Sequence, residues 1–354
     1  MKIKIHSSEL NRMMKVIGQC IDSKDMVRGN IEIILDNNLL SIRGANSLFG
    51  AVVSTPYIGM DGESFCVDGE MFGKVCAMNR GEMEITTDEK VCTIKGVGRT
   101  RLPLVDVKIP GFERVKGKVL TVEAGKFRNC YDRVAYAVAT DETRVVLTGV
   151  MTESEGNVLR MVALDGFQMS VEETECSGDD VHAVIPAAMM KLISTGTADG
   201  EHVKLTVSES AVQAETDGML VRCGLLAGEF PEWQKITPTE FKTKCQVNVT
   251  AVKDALKAGS IVNNKQNLVK LDIDAESMKI SNNSEVADFE AEIPCATQGD
   301  GLKVAFNQKY LASTIGAIDT EEAEMNFNSA VSPVVIRNAD GTGIRLVLPV
   351  RVMG

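Results

Sequence analysis

Residues Val304–Ile318 read VAFNQKYLASTIGAI, a strand end that runs straight into a short helix. Asn307 is a residue type that caps a helix by accepting a backbone N–H from the first turn. Leu311, Ile315 and Ile318 then recur at i, i+4 and i+7, one face of that helix. The same pattern occurs at Phe65–Val75 (FCVDGEMFGKV), with Asp68 at the cap, and at Val184–Ile193 (VIPAAMMKLI), with Pro186 at the helix start. Five residues on from Val67, Ile185 and Phe306 stand Phe72, Met190 and Leu311. A unit that recurs three times decides architecture more firmly than any single motif.

A second unit repeats beside it. Residues 2–21, 119–138 and 246–260 each predict a strand followed by a longer helix. Their apolar stripes are Leu10, Met13, Met14, Ile17 and Ile21; then Phe127, Cys130, Tyr131, Val134, Ala135 and Val138; then Val252, Ala255, Leu256 and Gly259. Each repeat closes alike. Arg101-Leu102-Pro103-Leu104 precedes Ile109-Pro110-Gly111-Phe112, Arg222-Cys223-Gly224-Leu225-Leu226 precedes Glu229-Phe230-Pro231-Glu232-Trp233, and Arg345-Leu346-Val347-Leu348-Pro349 precedes the end. The expected fold is α+β: three similar domains, residues 1–115, 116–241 and 242–354, each with two helices and short antiparallel strands. Runs such as Arg144–Val150 and Val158–Ala163 read as strands, and Leu346–Val352 as an apolar edge strand that closes the third domain.

A chain of 354 residues with 44% apolar content supports two or three packed cores. No apolar run is long enough to cross a membrane and no leader-like segment follows Met1, so a soluble, unprocessed, cytoplasmic protein is expected. The nine cysteines are scattered without a CxxC, as reduced core residues of a cytosolic protein would be.

The net charge of −11 argues against a nucleic-acid partner, but its distribution qualifies that. The outer sides of the three long helices carry Arg12 and Lys15, then Lys126, Arg128 and Arg133, then Lys253 and Lys257, with fewer acids. Lysines on a solvated helix face need no partner; three repeated helices sharing one sign would make one basic surface on an acidic protein.

No catalytic constellation is present. His6, His182 and His202 lack partners at metal-ligand spacing, no phosphate-binding loop occurs, and Gly96-Val97-Gly98 reads as a turn. Ser7-Ser8 reads as a helix cap, and Asp165-Gly166 as a tight turn that needs glycine. No metal or cofactor is expected, and the protein is not expected to be an enzyme.

Taken together, the triple repeat, Ala163-Leu164-Asp165-Gly166-Phe167-Gln168-Met169, Gly228-Glu229-Phe230-Pro231-Glu232-Trp233, Phe306-Asn307-Gln308-Lys309-Tyr310-Leu311 and Leu348-Pro349-Val350-Arg351 resemble the bacterial DNA sliding clamp, the beta subunit of the replicative DNA polymerase III. The resemblance covers the whole chain. It implies a homodimeric ring closed head to tail between domain one and domain three, with Leu102 and Ile261 at the joint. Helices would line a hole that holds duplex DNA without base readout, through Arg12, Lys15, Lys24, Lys126, Arg128, Arg133, Arg144, Lys253 and Lys257.

It also implies a hydrophobic cleft for short linear peptides of the replicative polymerase, the clamp loader and repair proteins. The matching positions are Leu147, Leu164, Gly166, Phe167, Gln168, Met169, Pro231, Lys235, Ile236, Tyr310, Leu346, Leu348, Pro349, Val350 and Arg351. Leu164 and Phe167-Gln168 stand where the family usually has Thr and His-Arg. Gly69-Glu70 and Ala187-Ala188 stand where its second helices often start with Arg or Lys, and Val145-Val146 replaces an aromatic pair of some members. The expected function is a processivity clamp. The alternatives are a clamp-like peptide-binding scaffold with weak DNA retention and, from another class, an α+β enzyme with an interdomain site.

Overall fold

The computed structural model describes residues 2–57, 63–111, 113–262 and 267–351; Phe112 of the first closing motif and Val352 of the last lie outside them. Contacts divide the chain into two compact units, Met1–Arg128 with Cys176–Leu225, and Asn129–Glu175 with Leu226–Gly354. Both are α+β, and the strand pairings described below are antiparallel.

In the first unit, Lys2–His6 pairs with Glu82–Thr87, which leads through Val91–Lys95 to Arg99–Pro103. A larger sheet runs in space from Ser177–Gly178 and Lys118–Glu123 through His202–Val207, Ala211–Glu215 and Met219–Gly224. It continues through Phe49–Pro56, Leu39–Ala45 and Asn30–Asp36 to Glu63–Asp68. Its middle joins two repeats: Cys223 stands opposite Phe49 and Met219 opposite Val53. The helix Ser7–Ile17 packs against helices Gly69–Met78 and Ala187–Gly196. Of its expected stripe, Leu10, Met13, Met14 and Ile17 are buried, while Ile21 lies beyond the helix end and is half-buried. Asp68 caps the second of these helices by accepting the Met71 N–H at 2.7 Å.

The second unit repeats the plan. Its sheet runs through Gly149–Glu155, Val158–Leu164 and Gln168–Glu175 to Ile344–Val347, Val334–Asn338, Glu322–Phe327 and Thr243–Asn248, then to Asp288–Gln298, Ser277–Asn283, Leu268–Ile273 and Leu302–Asn307. Again a junction joins two repeats: Met169 stands opposite Leu346 and Val171 opposite Ile344. The helices Val249–Gly259 and Gln308–Gly316 pack on each other and bury Val252, Leu256, Leu311 and Ile315 in one core with Phe306 and Phe327. Asn248 and Asn307 cap them through the Ala251 and Lys309 N–H groups, each at 2.9 Å.

Four expectations need correction. The first helix is capped by His6, whose Nδ1 accepts the Ser8 N–H, so Ser7 and Ser8 are helical rather than capping. The middle long helix, Ala124–Val134, tightens into a 3-10 turn, Ala135–Ala137, before Val138. Side chains of the neighbouring strand take carbonyls that would have served a longer helix: Ser170 Oγ donates to Arg133 O at 2.8 Å and Gln168 Nε2 to Tyr136 O at 3.1 Å. Residues 144–148 belong to a 3-10 segment, Glu142–Thr148, and the strand begins at Gly149. Asp141 starts that segment by accepting both the Thr143 N–H and its hydroxyl, and Val145 stays exposed while Leu147 is buried. Finally, Ile344–Val347 is an interior strand, paired on both sides with Val334–Asn338 and Gln168–Glu175.

The junctions follow one rule. A strand of repeat one, Phe49–Pro56, takes the last strand of repeat two; its counterpart in repeat two, Gln168–Glu175, takes the last strand of repeat three. The counterpart in repeat three is Asp288–Gln298, and the last strand of repeat one is Arg99–Pro103. Among the described residues, the first half of Asp288–Gln298 pairs only with Ser277–Asn283, and Arg99–Pro103 is an edge paired with Val91–Lys95. Two edges of matching kind are therefore left over.

Candidate functional site

The second unit gathers much of the expected cleft around the Gln168–Glu175 junction. Asp165 Oδ1 accepts the Phe167 and Gln168 N–H groups at 2.8 and 2.9 Å, and Gly166 turns the chain at φ 93°. This turn lifts Phe167 into solvent, 55% exposed, where its ring stacks on Tyr310 with centroids 5.4 Å apart. Gln168 is buried, holding Tyr136 O and the Ser313 hydroxyl. The Leu348 N–H donates to Phe167 O at 2.9 Å, and Pro349 bridges to Phe306, so the C-terminal segment forms the next wall.

Leu147, Leu164, Met169 and Leu346 are buried, while Phe167, Ile236 and Leu348 expose apolar surface. The segment bearing Pro231, Lys235 and Ile236 is anchored by Trp233, buried under the Arg160 guanidinium at 5.5 Å. Arg160 in turn is held by Glu153 and Glu173. Lys235 pairs with Glu232. Val350 and Arg351 line a different groove, of about 680 Å³, with Lys270, Asp272 and Lys303, and the Val350 N–H donates to Ala305 O.

The nine expected DNA-contacting cations do not stand alike. Lys15, Lys24, Arg144 and Lys257 are exposed. Arg12 pairs with Glu9 at 3.3 Å, and Lys253 Nζ donates to Ile318 O at 2.9 Å. Arg128 is spent on Asp199, Ser194 O and Thr197 O. Arg133 is held by Asp319 and Glu172. Lys126 is half-buried.

The two leftover edges carry opposite charge. Arg99 and Arg101 are on the exposed face of one, with Leu102 turned into the core. Asp288, Glu290 and Glu292 are on the exposed face of the other. Beyond the helix Val249–Gly259, Ile261 is 86% exposed; Gly259, at the helix end, sits where a Cβ would come within 3.0 Å of Phe289.

Models of the central and C-terminal domains of the DNA polymerase III beta subunit match residues 121–232 and 234–351. The chain belongs to the DNA polymerase III beta subunit family. The beta sliding clamp of Streptomyces coelicolor is 25% identical over 308 residues, 81% of this chain and 82% of that one. The DNA polymerase III beta subunit of Thermotoga maritima superposes with a TM-score of 0.92 at 22% identity, covering 99% of this chain and all of that one. A sliding clamp of Pseudomonas aeruginosa bound to griselimycin gives 0.92 at 20% identity, with the same coverage.

One buried charge cluster of this chain was not foreseen from its sequence. Arg345 is fully buried, yet its guanidinium reaches Glu172, Asn338 Oδ1 at 3.2 Å and Ala317 O at 3.2 Å. Arg133 approaches Glu172 from the other side at 3.6 Å. Burial pushes the Glu172 carboxyl above the ordinary range, against the pull of both guanidinium groups. The one available signal is an arginine in an otherwise apolar strand, Ile344-Arg345-Leu346-Val347, where a charge must be paired.

Proposed function

We propose that two copies of this chain close head to tail into a ring around duplex DNA and tether the replicative polymerase, clamp loader and repair proteins through short linear peptides held at the Phe167–Leu348 cleft. The ring would hold three domains per chain, residues 1–115, 116–241 and 242–354, and act by binding, without catalysis, in the cytoplasm. The observation that carries this reading is the pair of leftover strand edges. The junction that joins repeat one to two and two to three is available a third time, from Asp288–Gln298 of one copy to Arg99–Pro103 of the next. Pairing them in both directions would cover both of these leftover edges.

Exposed Lys15, Lys24, Arg144 and Lys257 on a protein of net charge −11 support phosphate contact at the helices and repulsion elsewhere. Such contact is blind to sequence and falls with salt. Retention should then depend on topology: protein loaded on a closed circle should stay, and cutting the circle once should release it. Equal release from closed and cut DNA refutes encirclement.

A further inference from the structure

The turn that presents Phe167 is built three times. Asp165 N donates to Gln168 O, and Asp165 Oδ1 accepts from Phe167 N and Gln168 N. Asn46 N donates to Phe49 O at 3.0 Å, and Asn46 Oδ1 accepts from Leu48 N and Phe49 N at 2.9 and 3.0 Å. Ser284 N donates to Ala287 O at 2.9 Å, and Ser284 Oγ accepts from Val286 N and Ala287 N at 3.4 and 3.1 Å. Each turn pushes the same residue outward and is apolar there: Leu48 is 65% exposed and Val286 93%. Each also leads directly into its repeat's junction strand.

In the first unit the Leu48 turn stands at the mouth of a groove of about 370 Å³, at the junction of Phe49–Pro56 with Met219–Gly224. Phe49 and Ala211 line it, and Arg222 is the one charged residue among the described lining. Arg222 spends one N–H on Glu113 O at 3.0 Å, with the rest of its fork available for a carboxylate. The position that Tyr310 takes in the second unit, four residues on from Phe306, is taken four residues on from Ile185 by buried Met189, which packs on Cys223. Met189 is fully buried and offers the Leu48 turn no ring to stack on.

We propose that this groove is a second, weaker docking site for short acidic peptides, with an aliphatic anchor beside Leu48 and a carboxylate on Arg222. It rests on the reading of the Phe167 turn as a peptide cleft. The occupant follows from charge: a lining whose charge is a lone guanidinium favours an acidic segment.

The test is a titration of the full protein with a fluorescein-labelled Gly-Glu-Asp-Leu-Leu peptide, followed by anisotropy and by calorimetric stoichiometry. Two sites per chain are expected, the second at least about ten-fold weaker. Leu48→Glu and Arg222→Glu should each weaken only the second phase, by ten-fold or more, while Arg222→Lys retains part of it. Leu48 is exposed, so its replacement leaves the core intact. A single site per chain, or a weak phase indifferent to both glutamate variants, overturns the proposal. Phe167→Ala separates the two readings: it should abolish the strong phase and spare the weak one. A strong phase indifferent to Phe167→Ala would sink the main cleft, while a weak phase still lost in Leu48→Glu would leave the second site standing.

Discussion

Ring closure makes the charge on the two leftover edges testable by exchange. Arg99 and Arg101 lie on the exposed face of one edge, and Asp288, Glu290 and Glu292 on the other; Glu290 is already held by Lys279 at 2.6 Å, so Asp288 and Glu292 carry the attraction. Converting both arginines to glutamate removes two exposed attractions, each worth about 0.2–1 kcal/mol, and replaces them with repulsions of similar size. A ring has two such seams, so the dimer should weaken by about 4 kcal/mol, roughly a thousand-fold in Kd. Adding Asp288→Arg and Glu292→Arg to the same chain restores opposite charge at both seams. Light scattering and sedimentation from nanomolar to micromolar concentration read the outcome. The double variant should be monomeric where the parent is dimeric, and the quadruple variant should be dimeric again with the parent's salt dependence. A double variant with unchanged Kd, or a quadruple variant that stays monomeric, would show that these edges do not meet.

Three further outcomes follow from single contacts. Phe167→Ala removes the stack on Tyr310 and an exposed anchor surface, so affinity for a Gln-rich peptide ending in Leu-Phe should fall about ten-fold or more by anisotropy with the dimer unchanged; this point variant is cleaner than truncating from Leu348, which would also cut the backbone bonds to Phe167 and Ala305. Arg345→Met leaves Glu172 buried with only Arg133 and Asp319 nearby and should cost about 3 kcal/mol in urea unfolding, whereas Arg345→Met with Glu172→Leu should cost less than either change alone; strict additivity would discount the buried pair. Lys2 and Lys95 hold the Glu84 carboxyl down at about 2, so its contribution to stability is present above the ordinary value of 4.5 and is lost as pH falls from there towards 2; an NMR titration of Glu84 with a midpoint near 4.5 would remove that window.

The repeat made the fold legible because each copy carries its own caps and stripes. Asp68 and Asn307 cap where the sequence placed them, and the stripe of the third long helix, like that of the first as far as Ile17, is buried as spaced. Errors fell where a tertiary partner overrides local pattern. The middle stripe reads on to Val138, but Gln168 and Ser170, some thirty residues away, claim the carbonyls that a longer helix needs. The run Arg144–Val150 has strand-forming residues, yet Asp141 and Thr143 close a turn that uses only Leu147 for the core. Arginine is counted as a cation by sequence, and its partner is what decides its role. Arg128 and Arg133 share the helix and the sign of Lys126, but both are already spent on acceptors within their own units.

The same division lets the cations of the proposed ring serve two tasks. Arg128 and Lys253, whose acceptors are carbonyls at or just past the ends of neighbouring helices, tie helix to helix; under the proposed encirclement the exposed Lys15, Lys24, Arg144 and Lys257 would meet phosphate. Few, exposed contacts suit a ring that must hold DNA and still move along it, since each added phosphate contact deepens the salt-dependent trap. In the proposed ring, retention would come from topology, and so from the strength of the two seams. On this account the seam variants should shorten residence on closed circles far more than Lys15→Ala or Lys257→Ala does. The reverse order would mean that direct phosphate contact, and not closure, holds the protein on DNA.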